Sequence, residues 1–229
     1  MSEKIRSMFA DIAEDYDRVH TILSFGVHHA WRNKAIKESK AKIGDHILDC
    51  ATGTGDLAIE FKKAVGEQGY VLGTDFCAPM IAHAPAKAKK RGLEIDFEVA
   101  DAMNLPYEEN RFDISSISFG IRNVDEPIVA LKEMARVVKP AGRVIVLEFG
   151  QPKGWLKFPY RLYSQHIMPT IGGFLSGNTE AYTYLPKTSA EFPAGNKFLK
   201  LMDNATCFDD YYAISLTGGI AYIYVGLVQ

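Results

Sequence analysis

Cysteine is scarce in this chain and badly placed for its structural uses. Cys50, Cys77 and Cys207 are odd in number and far apart, with no CxxC pair and no His–Cys cluster at metal-ligand spacing. A disulfide scaffold and a cysteine zinc site are excluded, no metal is expected, and a reducing, cytoplasmic setting fits best. An excess of one charge is missing too: 26 Lys and Arg stand against 28 Asp and Glu, a net charge of -2. Binding to a phosphate backbone rests on Lys and Arg in excess, so nucleic acid is not expected as a partner. Long apolar runs are also absent. The first stretch, "MSEKIRSMFADIAEDYDRVH", is charged throughout and has no signal-peptide core, and no later segment is apolar for long enough to cross a bilayer. What remains is 229 residues with 47% hydrophobic content, without internal repeats, enough for one sizeable core.

From residue 46 onward, β-branched runs alternate with helical patterns. "HILDCAT" precedes "DLAIEFKKAV"; "YVLGTDF" precedes "APMIAHAPAKAKKR"; "IDFEVA" and "FDISSISFG" precede "EPIVALKEMARVV"; then comes "GRVIVLEFG". Such alternation predicts an α/β fold, a mostly parallel sheet with helices on both faces. Ile128, Leu131, Met134, Ala135 and Val138 form one stripe on a good amphipathic helix, whereas Pro85 should break the helix that follows Phe76. "FDDYYAISLTGGIAYIYVG" reads as an antiparallel hairpin at the sheet edge. The expected organisation is a helical cap at 1–42, with "HHAWRNKAIKESKAK" its clearest helix, a ligand-binding βαβ core at 43–150, an aromatic, Pro- and Gly-rich insertion at 151–195 serving as lid or substrate element, and a final helix and hairpin at 196–229.

"HILDCATGTGD" ends the first strand on an acid and strips the side chains from the next loop. Ligands of open α/β sheets lie beyond the carboxyl ends of the strands, and Gly53 and Gly55 let a ligand approach the main chain. Asp49 is costly at such a position unless loop amides or a cationic ligand satisfy it; pinning the loop is the purely structural alternative. Asp75 ends the next strand, 22 residues beyond Gly53, where an acid accepts hydrogen bonds from ribose hydroxyls; helix N-capping is the alternative there. A G53-x-G55-x-x-A58 spacing leaves NAD open, but the acids Asp49 and Asp56 flanking the loop should repel a pyrophosphate and favour a ligand with a cationic end. S-adenosylmethionine is such a ligand, a nucleoside with an ammonium, a sulfonium and no phosphate. The pattern resembles that of class I methyltransferases, a Rossmann-like fold with a seven-stranded sheet. That resemblance sets Asp101 toward the adenine amino group, with Ala102 and Met103 beside the ring.

Further stretches resemble one family, the demethylmenaquinone/ubiquinone C-methyltransferases: "MFADIAEDYDRVHTILSFGVHHAWR", "LDCATGTGDLA", "ISFGIRNV", "ALKEMARVVKPAGRVIVLEFGQP" and "SGNTEAYTYLP". The resemblance runs from Met8 to Gly226. Ala141 departs from a common Gly, and Pro85 interrupts a normally regular helix. Carried over, the family's cofactor contacts fall on Thr54, Asp75, Asp101, Ala102 and Ser118; with the loop and its surroundings the expected S-adenosylmethionine set is Asp49, Gly53, Thr54, Gly55, Asp75, Phe76, Met80, Asp101, Ala102, Met103, Ser118 and Phe119. The resemblance implies methyl transfer to a ring carbon of a polyprenylated quinol, giving menaquinol or a ubiquinol precursor.

A quinol carbon becomes nucleophilic when a neighbouring hydroxyl loses its proton, and it must then lie in line with the sulfonium methyl. Beside that methyl, "SFGIRN" offers Arg122 to stabilise phenolate charge and Asn123 to orient a hydroxyl or water. Tyr16 and His20 are candidate helpers. The structural alternative for Arg122 is an ion pair with an acid such as Asp75 or Asp125. His20, His28, His29 and His166 read as surface or packing residues, and no general base stands out. The apolar tail of such a substrate implies transient contact with a membrane surface, at its inner face, for which "WLKFPYRLYSQHIMPTIGGFL" has a suitable composition; its aromatics could instead pack on the sheet or form a homodimer surface. Three other readings stand beside this one: a methyltransferase acting on another small molecule, an NAD-dependent oxidoreductase, and a non-catalytic scaffold that retains cofactor binding. An apolar rather than polar pocket at the insertion would favour the quinol.

Overall fold

The computed structural model describes residues 3–229; Met1 and Ser2, at the start of the expected cap, lie outside the described residues. Three helices lead: α1 (Glu3–Ile12), α2 (Tyr16–Leu23) and α3 (Val27–Ser39). The core follows as β1 (His46–Cys50), α4 (Asp56–Val65), β2 (Tyr70–Asp75), α5 (Ala78–Ile81), α6 (Ala84–Lys90), β3 (Asp96–Val99), β4 (Phe112–Ser118), α7 (Pro127–Arg136) and β5 (Val138–Phe149). Next come α8 (Lys157–Leu162), α9 (Met168–Ser176), α10 (Thr179–Glu191) and α11 (Asn196–Ala205), and the chain closes with β6 (Phe208–Leu216) and β7 (Ala221–Val228).

The seven strands lie in the order β3-β2-β1-β4-β5-β7-β6. The first five are parallel, and β7 pairs antiparallel with β5 and β6, so the expected hairpin forms and β6 is the edge. The strand order reverses between β1 and β4, where a crevice opens beyond their carboxyl ends. Alternation along β1 sends Ile47 to one face and Leu48 to the other, both fully buried, because helices cover both sides. Leu48, Phe112, Ile117, Leu131, Met134, Phe198 and Tyr224 pack one face under α7 and α11. Ile47, Trp31, Phe61, Ile114, Ile145 and Ile223 pack the other under α3 and α4. Burying each such side chain contributes roughly 1.5–3 kcal/mol.

A third apolar cluster shapes the site: Phe9, Ile12, Val19 and Leu23 of the leading helices meet Met80, Tyr182 and Leu185. The N-terminal cap is thus packed against the insertion, over the tip of β2. Pro85 breaks its helix as expected; α5 stops at Ile81 and α6 restarts with the proline in its first turn, where it lacks no partner. Ala141 occupies a left-handed φ of 62° at the irregular start of β5, which explains a glycine preference there. That bend lies at the end of the sheet away from the crevice.

The insertion is mostly helical, which its proline content concealed. Pro169 sits in the first turn of α9, Asn178 caps α10 by accepting the Ala181 amide at 3.1 Å, and Pro186 lies inside α10. Gly172 lets α9 and α10 touch: a Cβ there would come within 2.3 Å of the Tyr182 ring. Packing of the insertion aromatics on the sheet is not what occurs, since Trp155 is 82%, Phe158 77% and Phe174 89% exposed.

Candidate active site

After β1 the backbone turns through positive φ at Ala51 (48°), Gly53 (56°) and Gly55 (84°). The turn brings loop amides to the crevice, and the alanine bears roughly 1–2 kcal/mol of strain that a glycine would not. Asp49 lies beneath this loop, 1% exposed, and accepts hydrogen bonds from Thr52 Oγ1 at 2.6 Å and Ser116 Oγ at 2.7 Å. It therefore pins the loop to β4. Burial pushes its carboxyl up to about 6, against the lowering effect of the two hydroxyls and of Arg32.

Asp75 faces the crevice. Its Oδ2 accepts the Gly53 amide and its Oδ1 the Cys77 amide, both at 2.8 Å, so one carboxylate ties the glycine loop to the start of α5. Burial raises its pKa while those two amides lower it. The N-cap position of α5 belongs to Cys77, two residues on. Asp101 lies just past β3 and holds its own turn, accepting the Met103 amide at 2.9 Å.

These elements enclose a cleft whose walls include Tyr16, Gly53, Asp75, Met80, Ser118, Phe119 and Asn123. The structure adds Phe9, Ala51, Cys77 and Gly120, which sequence reasoning passed over as site residues. Gly120 carried a signal within "SFGIRNV": a Cβ there would come within 2.5 Å of the Ala51 Cβ. Phe76, Ala102 and Met103 are not among the residues that line the cleft, and Gly55 backs onto Ala84 and Phe97 rather than onto it. Thr54 is turned away, its hydroxyl donating to Asp17 Oδ1 of α2 at 2.6 Å.

No Lys, Arg or His lines the cleft among the described residues, whereas a buried carboxylate does, and the buried Ser118 hydroxyl has no protein partner. These features suit a phosphate-free adenosine ligand with a cationic end. The expected repulsion from Asp56 does not contribute, because Arg32 at 2.9 Å and Lys87 neutralise it. Lys87 also pairs with Asp17, joining cap, loop and α6 in one network.

A second, larger cavity of about 220 Å³ opens on the other side of α2, between α3, the insertion and the start of β7. Leu23, Val27, Trp31, Phe149, Met168, Leu185 and Ile220 make it almost wholly apolar. Tyr16 and His20 separate the two spaces: their rings stack at 5.2 Å, Tyr16 facing the cleft and His20 the apolar cavity. Burial pushes the Tyr16 hydroxyl up to about 12 and His20 down to about 3, so both rings are neutral near pH 7.

Arg122 and Asn123 follow β4. Asn123 Oδ1 accepts the Tyr184 hydroxyl of α10 at 3.1 Å, linking the cleft to the insertion. Arg122 realises its structural alternative with an acid that the sequence did not single out: Nη1 donates to Glu148 Oε1 at 2.6 Å and to the Phe119 carbonyl at 2.7 Å. Both partners of this pair are buried, 2% and 1% exposed, with the guanidinium over the Phe149 ring. Its Nε–H is buried without a partner.

The sheet order and the cleft define the class I methyltransferase architecture, and solved structures share it. A SAM-dependent methyltransferase from Thermotoga maritima superposes with a TM-score of 0.68 at 20% identity, covering 97% of this chain and 99% of that one. Phosphoethanolamine N-methyltransferase 2 of Haemonchus contortus, solved with S-adenosyl-L-methionine, gives 0.64 at 14% identity, over 87% of this chain and 52% of that one. The profile of the ubiE/COQ5 methyltransferase family matches residues 1–228, and the chain belongs to that family. It is 56% identical to the ubiquinone/menaquinone biosynthesis C-methyltransferase UbiE of Bdellovibrio bacteriovorus, over 99% of this chain and 97% of the relative. It is 46% identical to the demethylmenaquinone methyltransferase of Thermus thermophilus, over 96% and 99%. The protein is an S-adenosylmethionine-dependent methyltransferase.

Proposed function

We propose that the protein methylates a ring carbon of a polyprenylated quinol, converting a demethylmenaquinol or a 2-polyprenyl-6-methoxy-1,4-benzoquinol while docked on a membrane surface. The observation that carries this reading is the apolar cavity, which adjoins the cofactor cleft across Tyr16 and His20 and can take a ring and the start of a prenyl tail. A soluble polar substrate would gain little from such walls.

Asp75, Ser118, Met80 and Phe119 all line the cleft, and in this proposal Asp75 takes the ribose, Ser118 a polar edge of the nucleoside, and Met80 and Phe119 its apolar faces. S-adenosylmethionine, when bound, supplies an electrophilic methyl group. The chain supplies position, dryness and charge. Cap and insertion exclude water from the junction. The unpaired Nε–H of Arg122 is the donor for phenolate charge, Asn123 orients the ring through its link to Tyr184, and the neutral Tyr16 hydroxyl is a further donor at the boundary.

Purified protein is expected to bind S-adenosylhomocysteine and not NADH by calorimetric titration, and to methylate a short-chain demethylquinol. No product from any quinol tested, with cofactor binding intact, would sink the quinol reading and leave a methyltransferase for another small molecule.

The membrane contact has its own support. Among the described residues no helix is long and apolar enough to cross a membrane. Trp155, Phe158, Leu162 and Phe174 project from α8, α9 and the turn before them, near Lys157, Arg161 and Lys187 of the adjoining groove. Exposed aromatics ringed by basic side chains match an anionic lipid surface. Replacing Trp155, Phe158 and Phe174 together with Ser should cut co-sedimentation with anionic vesicles at least about fivefold, since each loses roughly 1 kcal/mol or more of apolar insertion. Undiminished co-sedimentation would move the contact elsewhere, and a dimer by ultracentrifugation that the triple variant abolishes would show these side chains to be a subunit interface.

A further inference from the structure

We infer that His20 is a substrate-binding residue: its Nδ1 accepts the hydrogen bond of a quinol hydroxyl at the junction of the two cavities, fixing which ring carbon faces the methyl group. This rests on the quinol reading above and specifies how the ring is held.

The polar groups around the apolar cavity are mostly committed. Ser24 Oγ bonds His28 Nδ1 at 2.5 Å, and the Tyr163 hydroxyl donates to the Leu23 carbonyl at 2.7 Å. Ser189 Oγ donates to the Leu185 carbonyl at 2.8 Å, and Thr217 Oγ1 accepts from Trp31 Nε1 at 2.9 Å. His20 Nδ1 and the Tyr182 hydroxyl are the exceptions, both buried on this wall with no partner, and it is the His20 ring that stacks directly on Tyr16 of the cofactor cleft. A buried ring nitrogen without a partner is costly unless something binds there, which is the usual reason such an atom persists.

The ring is held on several sides. Tyr16 stacks on it at 5.2 Å, His28 meets its edge at 5.3 Å and Phe119 lies at 5.9 Å. Burial first, and then the positive charges of Arg32 and Arg122 against the opposing Asp56, keep the imidazole neutral, and protonated at Nε2 it presents a lone pair at Nδ1. Tyr16 and Phe119 line the cofactor cleft while His20 lines the apolar cavity, so a hydroxyl on Nδ1 places the quinol ring between the two spaces. An acceptor at this point discriminates: a hydroxyl fits, whereas an ether oxygen cannot donate.

The test compares binding of a short-chain demethylquinol with its two monomethyl ethers, followed through the fluorescence of Trp31 in the cavity wall, for wild type, H20L and H20N. Wild type should bind the free quinol about tenfold to a hundredfold more tightly than the ether blocked at the contacted hydroxyl. H20L should bind both alike and lose a similar factor in kcat/KM, with S-adenosylhomocysteine affinity unchanged. H20N, whose amide oxygen also accepts, should keep the preference within about threefold. Preference retained in H20L, preference lost in H20N as fully as in H20L, or a parallel fall in S-adenosylhomocysteine affinity would each overturn the assignment while leaving the quinol reading intact. Wild type that binds neither quinol nor ether would overturn both.

Discussion

Arg122→Ala is expected to destabilise the protein by about 3–5 kcal/mol, because it strands a carboxylate that has no access to water. Glu148 is 1% exposed and takes three hydrogen bonds from its own neighbourhood, the Arg122 guanidinium at 2.6 Å, the Phe149 amide at 2.7 Å and the Arg122 amide at 3.5 Å. Without the arginine side chain only the two backbone amides remain, and no positive charge faces the carboxylate. Burial already raises the Glu148 pKa against the pull of Arg122, and in the variant it rises further. A carboxyl with a raised folded-state pKa is most favourable to the fold when protonated, so the loss should be greatest above neutral pH and shrink as the solution is acidified. Urea unfolding between pH 5 and 8 measures this. Arg122→Ala/Glu148→Gln should recover about half of the lost stability, since a neutral amide is cheaper to bury than a charge. Activity should not return with it. The double variant still lacks the Nε–H for the phenolate, and kcat should stay at least about a hundredfold down with S-adenosylhomocysteine affinity near that of wild type. Full turnover in the double variant would remove Arg122 from the chemistry.

Asp49→Asn should do the opposite, raising stability and weakening cofactor binding. Burial lifts the Asp49 carboxyl from its ordinary 3.8 to about 6. The stability this group contributes is present below its unfolded pKa and lost as pH rises through 6, so at pH 7 its charge costs roughly 3 kcal/mol. Asparagine avoids most of that cost while its amide oxygen still accepts from Thr52 or Ser116. A gain of about 1–2 kcal/mol at pH 7, vanishing by pH 4, is the expected result in thermal and urea unfolding. The same charge sits under the loop that meets a cationic ligand. Wild-type affinity for S-adenosylmethionine should therefore fall about tenfold between pH 7 and pH 5, and the asparagine variant should show neither the full affinity nor the inflection near 6. An unchanged pH profile in the variant would show that Asp49 only pins the loop.

The architecture was legible wherever a local pattern carried it. The β-branched runs, the glycine loop, the break at Pro85 and the edge hairpin around "TGG" each depend on a few neighbouring residues, and each is where the pattern put it. The family resemblance is likewise borne out by the profile match across the chain. What escaped was set by partners far apart in sequence. Thr54 looks like a cofactor contact within "ATGTGD", yet its hydroxyl is taken by Asp17, 37 positions earlier. Asp56 looks like a bare acid beside the loop until Arg32 and Lys87 fold over it. The acid that holds Arg122 lies 26 residues on, inside "VLEFG", where it reads as a strand residue. The insertion concealed its helices because Pro169 and Gly172, breakers in isolation, occupy a first turn and a helix contact where each is tolerated.

The wall formed by Tyr16 and His20 has a further consequence for turnover. With one ring facing each chamber, the proposed membrane docking would bring the two reactants in through separate doors, the nucleoside past the glycine loop and the lipid from the side bearing Trp155 and Phe158. On that proposal, spent S-adenosylhomocysteine would be exchanged from water while the quinol tail stays anchored in the bilayer, so successive methylations would need no trip away from the lipid.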